Sequence, residues 1–266
     1  MDRKNLVIAL PDGRHMGGKT FTLFERAGLY VPEYSPDSTS RRYSSELVLP
    51  SGYVCDVVID QHRDSLFSLA HKRSDVVIAG SDVAMEFEIA LRRGIFKEIG
   101  WNKPDFESAH INSKHLGYFG TKFGFLGRKD SPYEALEELV ANEDEAEIYS
   151  EFPNIVLAFL LQMKEYTKKH GHTEPFVITS SSRSGNNPNV KIFHSYGKTE
   201  AKLLYYGVNH NRLILELVET GETARQNELK TLKDFGEPIF TKVYSRKNIP
   251  ESMQAARNEV VGLLEK

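Results

Sequence analysis

Leu213-Ile214-Leu215-Glu216-Leu217-Val218-Glu219-Thr220-Gly221-Glu222-Thr223-Ala224-Arg225-Gln226-Asn227 is the most informative stretch of the chain. An apolar run, read as a strand, passes through Thr-Gly-x-Thr into a helix. A glycine at such a junction lets backbone N–H groups turn toward one point. The two hydroxyls add donors, and the start of the helix adds partial positive charge. Together Thr220, Gly221, Glu222 and Thr223 predict a cradle for a phosphate monoester. Glu216 and Glu219, immediately before it, can accept hydrogen bonds from sugar hydroxyls. The same four cradle residues also read as a capped helix start.

Outward from this stretch, strands and helices alternate. Leu6–Leu10 reads as a buried strand ending in the turn Pro11-Asp12-Gly13-Arg14, followed by a helix from Thr20 to Ala27 that Gly28 stops. Glu46–Leu49 and Tyr53–Ile59 flank Pro50-Ser51-Gly52 as a hairpin. A helix over Asp64–Lys72 leads to a buried strand, Asp75–Ala79, and then through Gly80-Ser81-Asp82 to a helix ending at Arg92. Later come a strand at Lys122–Leu126 and a helix at Tyr133–Ala141. An acidic run (Glu143, Asp144, Glu145, Glu147) reads as a solvated loop, and Asn154 as the N-cap of one long helix reaching Lys169. Strands Phe176–Ile178 and Val190–Phe193 bracket a polar, exposed stretch, Ser180–Asn189. A helix from Thr199 to Tyr206 precedes the strand Arg212–Val218. After a loop and short helix comes a strand at Pro238–Tyr244, then a helix opened by Pro250 with Met253, Ala256, Val260, Val261 and Leu264 on one side. This alternation predicts an α/β protein of two lobes with mostly parallel sheets and a cleft. Residues 1–112 with 235–266 form the first lobe in this reading, and 113–234 the second.

Composition narrows the function classes. The chain has 266 residues, 40% of them apolar, and 34 Lys and Arg against 37 Asp and Glu, a net charge of −3. Such a balance gives no electrostatic footprint for nucleic acid or an anionic membrane, so any anion site must be local. The single cysteine, Cys55, excludes an intramolecular disulfide framework and a cysteine-cluster metal site. None of the nine histidines stands in HExxH-like spacing, and His170-Gly171-His172 falls at a helix end. The opening residues are too short an apolar run for a signal peptide, and no run approaches the about 18 residues of a membrane span. The expected location is the cytoplasm.

The cradle segment resembles the phosphoribosyl-pyrophosphate signature of ATP phosphoribosyltransferases, the first enzymes of histidine biosynthesis, and Asn227-Glu228-Leu229 completes it. Further stretches are similar to that family in the same order. They are Ile8-Ala9-Leu10-Pro11-Asp12-Gly13-Arg14, loosely Arg63-Asp64, and Asp75 to Val83 with its Gly80-Ser81-Asp82. Leu116-Gly117-Tyr118-Phe119-Gly120, Phe152-Pro153-Asn154 and Tyr196-Gly197-Lys198-Thr199-Glu200 continue the series.

The resemblance implies a fold like the type II periplasmic binding proteins, with the active site between the lobes. It also implies a reaction joining N1 of the ATP adenine to C1 of phosphoribosyl pyrophosphate, with pyrophosphate leaving. Mg²⁺ would arrive on the pyrophosphate rather than on protein side chains. Thr220, Gly221, Glu222 and Thr223 would bind the 5-phosphate, and Glu216, at the family's aspartate position, would face the ribose hydroxyls beside Glu219. Gly13 and Arg14 would meet the pyrophosphate, for which a guanidinium fork is well shaped. Glu200 would orient the adenine amino group, Lys122 would meet substrate phosphates, and Gly80, Ser81 and Asp82 would line the site. The absence of a long segment after the last strand resembles the family's short form. That form is a homo-oligomer working with a regulatory subunit like histidyl-tRNA synthetase. Three departures bear on the acceptor: Asp12 in the opening turn, Glu216 in place of aspartate, and the polar stretch Ser180–Asn189. An added methylene moves a carboxylate by about 1.5 Å. A same-fold phosphoribosyltransferase with another acceptor base and a non-catalytic two-lobed binding module therefore stand as alternatives.

Overall fold

The computed structural model of the chain describes residues 4–12, 17–35, 43–97, 106–110, 121–180, 182–205 and 209–265. The chain divides into two compact units, Met1–Phe119 with Ile239–Lys266, and Gly120–Pro238.

The first unit carries β1 (Leu6–Pro11), α1 (Gly18–Arg26), β2 (Ser44–Val48), β3 (Val54–Asp60), α2 (Ser65–Ala70), β4 (Val76–Gly80), α3 (Ser81–Arg92) and β5 (Phe106–His110). Its strands β1 and β4 are buried along their whole lengths, as expected of runs without alternation. The second unit carries β6 (Lys122–Arg128), α4 (Leu136–Asn142), β7 (Ala146–Ser150), α5 (Pro153–Gln162), α6 (Lys164–His170), β8 (Pro175–Ile178), β9 (Arg183–Ser184), β10 (Asn187–His194), α7 (Glu200–Tyr205), β11 (Arg212–Val218), α8 (Glu222–Gln226) and β12 (Leu229–Phe235). The chain then returns to the first unit with β13 (Thr241–Arg246) and α9 (Glu251–Leu264).

The first sheet has the order β2-β3-β1-β4-β13-β5, and the second β12-β6-β11-β7-β10-β8-β9. Both are mixed, which corrects the expectation of mostly parallel sheets. Parallel pairing is confined to β3-β1-β4 and to β11-β7-β10-β8. Around these centres lie the hairpins β2-β3 and β8-β9, the strands β6 and β13 that enter from the other unit, and β12 beside β6, all antiparallel to their neighbours. Hairpins are antiparallel by construction. A strand arriving from the other unit needs no crossover helix, so the parallel rule does not govern it.

Each sheet is covered on both faces. In the first unit, Leu6, Ile8, Leu10, Val76 and Ile78 pack with Phe24 of α1 and Met253, Val260 and Leu264 of α9. Ala9, Val77 and Ala79 face Leu66 and Leu69 of α2 and Val83 and Phe87 of α3. In the second unit, Leu126 and Ile214 pack with Leu203 of α7 and Ala224 of α8. Phe125 meets Phe159 of α5 at 5.2 Å between ring centroids, and Phe159 meets Phe235 at 4.2 Å.

Besides β5 and β9, which the sequence reading does not place, two strands depart from the sequence expectation. The acidic run ends in β7, the centre of the second sheet. There Ala146, Ile148 and Ser150 are buried, while Glu147 accepts a 3.0 Å ion pair from Arg212. The segment after Asn227 forms β12 rather than loop and helix, anchored by buried Leu229 and Leu232. The expected long helix is two helices, parted at Met163, whose ψ of 127° is extended. Its first residue is Pro153 and its N-cap position is Phe152, so Asn154 lies inside the helix. The polar stretch Ser180–Asn189 holds β9 and the start of β10. Asn187 is buried there and donates to the Tyr166 hydroxyl at 3.0 Å.

Candidate functional site

Parallel strands place their following loops at one sheet edge. In the second unit that edge gathers Glu151 after β7, Ser195–Glu200 after β10, and Glu219–Thr223 after β11. Lys122 joins them, because β6 runs antiparallel to β11 and its first residue pairs with Val218. The connection from β7 runs toward β8 and that from β11 toward β12, in opposite directions across the sheet. The neighbours β7 and β11 therefore form a topological switch point, where open α/β sheets take their ligands.

The Thr220–Thr223 loop is open. Thr220, Glu222 and Thr223 are exposed, and α8 is pinned beneath them by buried Ala224. Gly221 has φ +70°, the left-handed conformation, and a Cβ placed there meets nothing within 4 Å. The backbone thus needs glycine for its dihedral, and the space beside it is free for a ligand. The Glu222 N–H donates to Thr220 Oγ1 at 3.3 Å, a long bond that a phosphate oxygen can replace. The Glu222 carboxylate is held by Arg225 and, at 3.1 Å, by Gln226, which keeps it below the usual carboxylate range.

Glu216 is half-buried two residues before the strand ends. Burial, with the like charges of Glu200 and Glu151 around it, pushes its carboxyl up to about 7, while a hydrogen bond from Thr199 and the Leu217 N–H pull the other way. The sequence-predicted Glu216 and Glu200 are therefore electrostatic neighbours. Glu151 and the buried pair Thr199 and Ser195, with hydroxyls 3.2 Å apart, complete the group. Ser150 locks the arrangement. Its hydroxyl donates to Leu215 O at 3.0 Å and accepts from Phe152 N–H at 2.9 Å, while its carbonyl accepts from Ser195 N–H at 2.8 Å. Sequence reasoning missed Glu151 and Ser150 because it missed β7, the strand that carries them to this edge.

The first unit has a comparable edge after β1, β3 and β4. Gly80, Ser81 and Asp82 lie there, but closed. Ser81 exchanges two bonds with the main chain of Phe240, N–H to O at 2.8 Å and Phe240 N–H to its own Oγ at 3.1 Å. Asp82 is 2% exposed and folds back so far that a Cβ on Gly80 would lie 1.9 Å from its Oδ1. His62 Nε2 accepts the Gly80 N–H at 3.3 Å. Desolvation raises the Asp82 carboxyl and lowers the His62 imidazolium, and each is partly rescued by the other's charge. Gly13 and Arg14 lie outside the described residues, as does the segment Leu116–Gly120.

Among the described residues no group of three or more His, Cys, Asp and Glu can hold a metal ion, and no helix is long and apolar enough to cross a membrane.

Comparison with known proteins gives a consistent result. No curated protein matches this sequence. Among solved structures, the ATP phosphoribosyl transferase (HisG:HisZ) complex from Thermotoga maritima is similar at 22% identity and a TM-score of 0.53, over 98% of this chain and 95% of that one. XAC2383 from Xanthomonas citri, solved bound to ATP, is similar at 11% identity and 0.52, over 98% and 82%. A binding protein component of an ABC phosphonate transporter from Pseudomonas aeruginosa follows at 11% identity and 0.50, over 97% and 73%. At these identities the likeness is one of fold, the two-lobed periplasmic-binding-protein type. The family model for ATP phosphoribosyltransferase matches residues 62–264, well over half of the chain. The chain belongs to the ATP phosphoribosyltransferase family, enzymes of the pentosyltransferase class.

Proposed function

We propose that this chain joins N1 of the ATP adenine to C1 of phosphoribosyl pyrophosphate. The observation that carries this reading is the open Thr220–Thr223 loop, glycine-turned and beside Glu216 at a switch point, in a chain of this family. The adenine N1 lone pair forms the bond to C1, and the C1–O bond breaks with its electron pair leaving on pyrophosphate. Such a transition state carries positive charge at C1, so positioning and stabilisation of the leaving group dominate.

Backbone N–H groups and hydroxyls of Thr220 to Thr223 hold the 5-phosphate. Glu216 and Glu219 accept from the ribose hydroxyls, and Glu200 accepts from the adenine amino group. Lys122 lies at the same sheet edge and faces the phosphates. Arg14 with Gly13 remains the proposed partner of the pyrophosphate, on the strength of the family resemblance. Gly80, Ser81 and Asp82 act by positioning, since the Ser81 hydroxyl is held by the Phe240 main chain and Asp82 is buried beneath the turn.

Mg²⁺ would arrive on the pyrophosphate, as the family resemblance implies, since no cluster of three or more His, Cys, Asp and Glu among the described residues would hold it. Mg²⁺ ordinarily takes only one or two carboxylates and draws its remaining ligands from phosphate and water. When bound it supplies charge neutralisation of the pyrophosphate. A second, different subunit is proposed by likeness to the HisG:HisZ complex from Thermotoga maritima, and its regulatory role and a homo-oligomeric state on the family resemblance.

A second reading keeps the cradle and changes the acceptor base. It is favoured by Glu216, a residue longer than the family's aspartate at the sugar-facing position. Pyrophosphate release with phosphoribosyl pyrophosphate and a panel of acceptors separates the two. Release with ATP supports the first, and release only with another base supports the second. Failure to bind phosphoribosyl pyrophosphate removes both.

A further inference from the structure

Single exposed aromatics are ordinary on protein surfaces. Tyr196 is different because it is exposed yet restrained. It is 63% exposed. Its hydroxyl shares a 2.9 Å hydrogen bond with Ser180 Oγ, beyond the end of β8. Its ring rests against His194, with centroids 4.3 Å apart and planes tilted by 41°. The turn that holds the hydroxyl is itself tied. Thr179 N–H donates to Ser182 O at 2.9 Å, and the two hydroxyls meet at 2.8 Å. A ring anchored in this way has lost its rotamer freedom before any ligand arrives, so stacking on it costs little further entropy.

Its place in the fold is equally specific. Tyr196 is the second residue of the β10–α7 loop, which four residues later leads to Glu200 beside Glu216. The strands β10 and β11 are separated only by β7, so their ends lie about 10 Å apart. That span suits a ribose phosphate at one end and a planar ring at the other.

We propose that Tyr196 is the platform on which the flat heteroaromatic ring of the acceptor stacks, making it a specificity-determining residue of the β10–α7 loop. The proposal rests on reading the β11–α8 loop as the 5-phosphate cradle. Stacking is indifferent to the hydrogen-bond pattern of the base. Tyr196 therefore selects for flatness, and Glu200 reads the polar edge. The Ser180–Asn189 stretch acquires a role as well: through Ser180 it fixes the angle of the platform.

The test compares Tyr196→Ala and Tyr196→Phe with the wild-type full chain. KM values for ATP and for phosphoribosyl pyrophosphate come from pyrophosphate release, and the ATP Kd comes from calorimetry. Tyr196→Ala is expected to raise the ATP KM and Kd about tenfold or more, the size of one base–aromatic stack. The phosphoribosyl-pyrophosphate KM should move less than about twofold, and Tyr196→Phe should lie between wild type and Tyr196→Ala in ATP affinity, since it keeps the ring and loses only the Ser180 anchor. A merely structural role would weaken both substrates together. Normal turnover with an unchanged ATP KM in Tyr196→Ala overturns the platform and leaves the transferase reading standing. A wild-type chain without turnover whose ATP Kd still weakens in Tyr196→Ala overturns the transferase and leaves the platform. A chain that neither turns over nor binds ATP overturns both.

Discussion

Two glycine-led turns, Gly80-Ser81-Asp82 in the first unit and Gly221-Glu222-Thr223 in the second, look alike in sequence. Each follows a buried strand and opens a helix. Their environments are opposite. At Gly80 the side chains fold inward, Asp82 against His62 and Ser81 onto the Phe240 main chain. At Gly221 the neighbouring side chains stand in solvent. The two glycines are also required for different reasons. Gly80 has an ordinary φ of −71° and lacks room for a Cβ, whereas Gly221 has room and an unusual φ of +70°. One turn is a structural lock and the other a surface that a ligand can reach.

The sharpest way to break this comparison is Gly80→Ala. The new methyl would meet Asp82 Oδ1, forcing a buried carboxyl out of place and away from His62. Overpacking joined to a lost buried polar contact predicts a loss of about 3 kcal/mol, read by urea denaturation. Asp82→Ala in the same background should recover a large part of it, because the clash has gone. Full additivity of the two changes would show that Asp82 does not fill the space over Gly80.

Gly221→Val should act on the ligand instead. A β-branched residue at φ +70° is strained, and its side chain occupies the approach to the backbone N–H groups. Phosphoribosyl-pyrophosphate affinity is expected to fall about 100-fold, which is about 2.7 kcal/mol, while stability falls by only about 1–2 kcal/mol. Unchanged affinity by calorimetry removes the cradle assignment.

Glu216 distinguishes the two edges by pH. With a carboxyl near 7 in the folded chain against about 4.3 in the unfolded one, the folded state holds the proton more tightly. Its contribution to stability is complete below the unfolded value and is lost as pH rises through about 7. Glu216→Gln removes this dependence. The variant should therefore gain up to about 3 kcal/mol relative to wild type between pH 4.5 and pH 8. Parallel stability curves for the two proteins across that range would show that the carboxyl is not raised. An ionised carboxylate accepts from ribose hydroxyls more strongly than a carboxylic acid does, so wild-type affinity for phosphoribosyl pyrophosphate should rise over the same interval and that of the variant should not.

Much of this was legible in the sequence where local pattern and tertiary role coincide. The unbroken apolar runs of β1 and β4, the Leu213–Leu215 run of β11, the Thr-Gly-x-Thr junction, and the face of Met253, Ala256, Val260 and Leu264 on α9 read directly as they fold. The failures share one cause. β7 hides a period-two pattern under acidic residues, because Glu147 is neutralised by Arg212, 65 positions later, and Tyr149 stacks on Phe193 at 4.7 Å. β12 carries a bulge between Thr231 and Lys233 that breaks its alternation. In both, the partners that make a strand favourable are distant in sequence. The site inherits the same limit: Glu216 and Thr220–Thr223 announce themselves on one strand, whereas Glu151 becomes visible only once β7 is beside β11.

Lys122 offers the smallest and most diagnostic contrast. It is exposed, opens β6 opposite Val218, and so stands beside the residues that lead into the cradle. A solvated lysine at a strand start contributes nothing to ligand affinity. A lysine facing a phosphate contributes a screened attraction of about 0.5–1 kcal/mol, comparable to an exposed ion pair. Lys122→Met should therefore weaken phosphoribosyl-pyrophosphate binding about two- to fivefold at low ionic strength. The difference should fade as the Debye length shrinks from about 10 Å at 0.1 M salt to about 3 Å at 1 M. The same substitution should leave the urea midpoint unmoved, since the side chain is exposed. Equal affinities at both salt concentrations would return Lys122 to the solvated surface. An effect that persists at 1 M salt would mean that the lysine stem packs on the ligand rather than its charge attracting it.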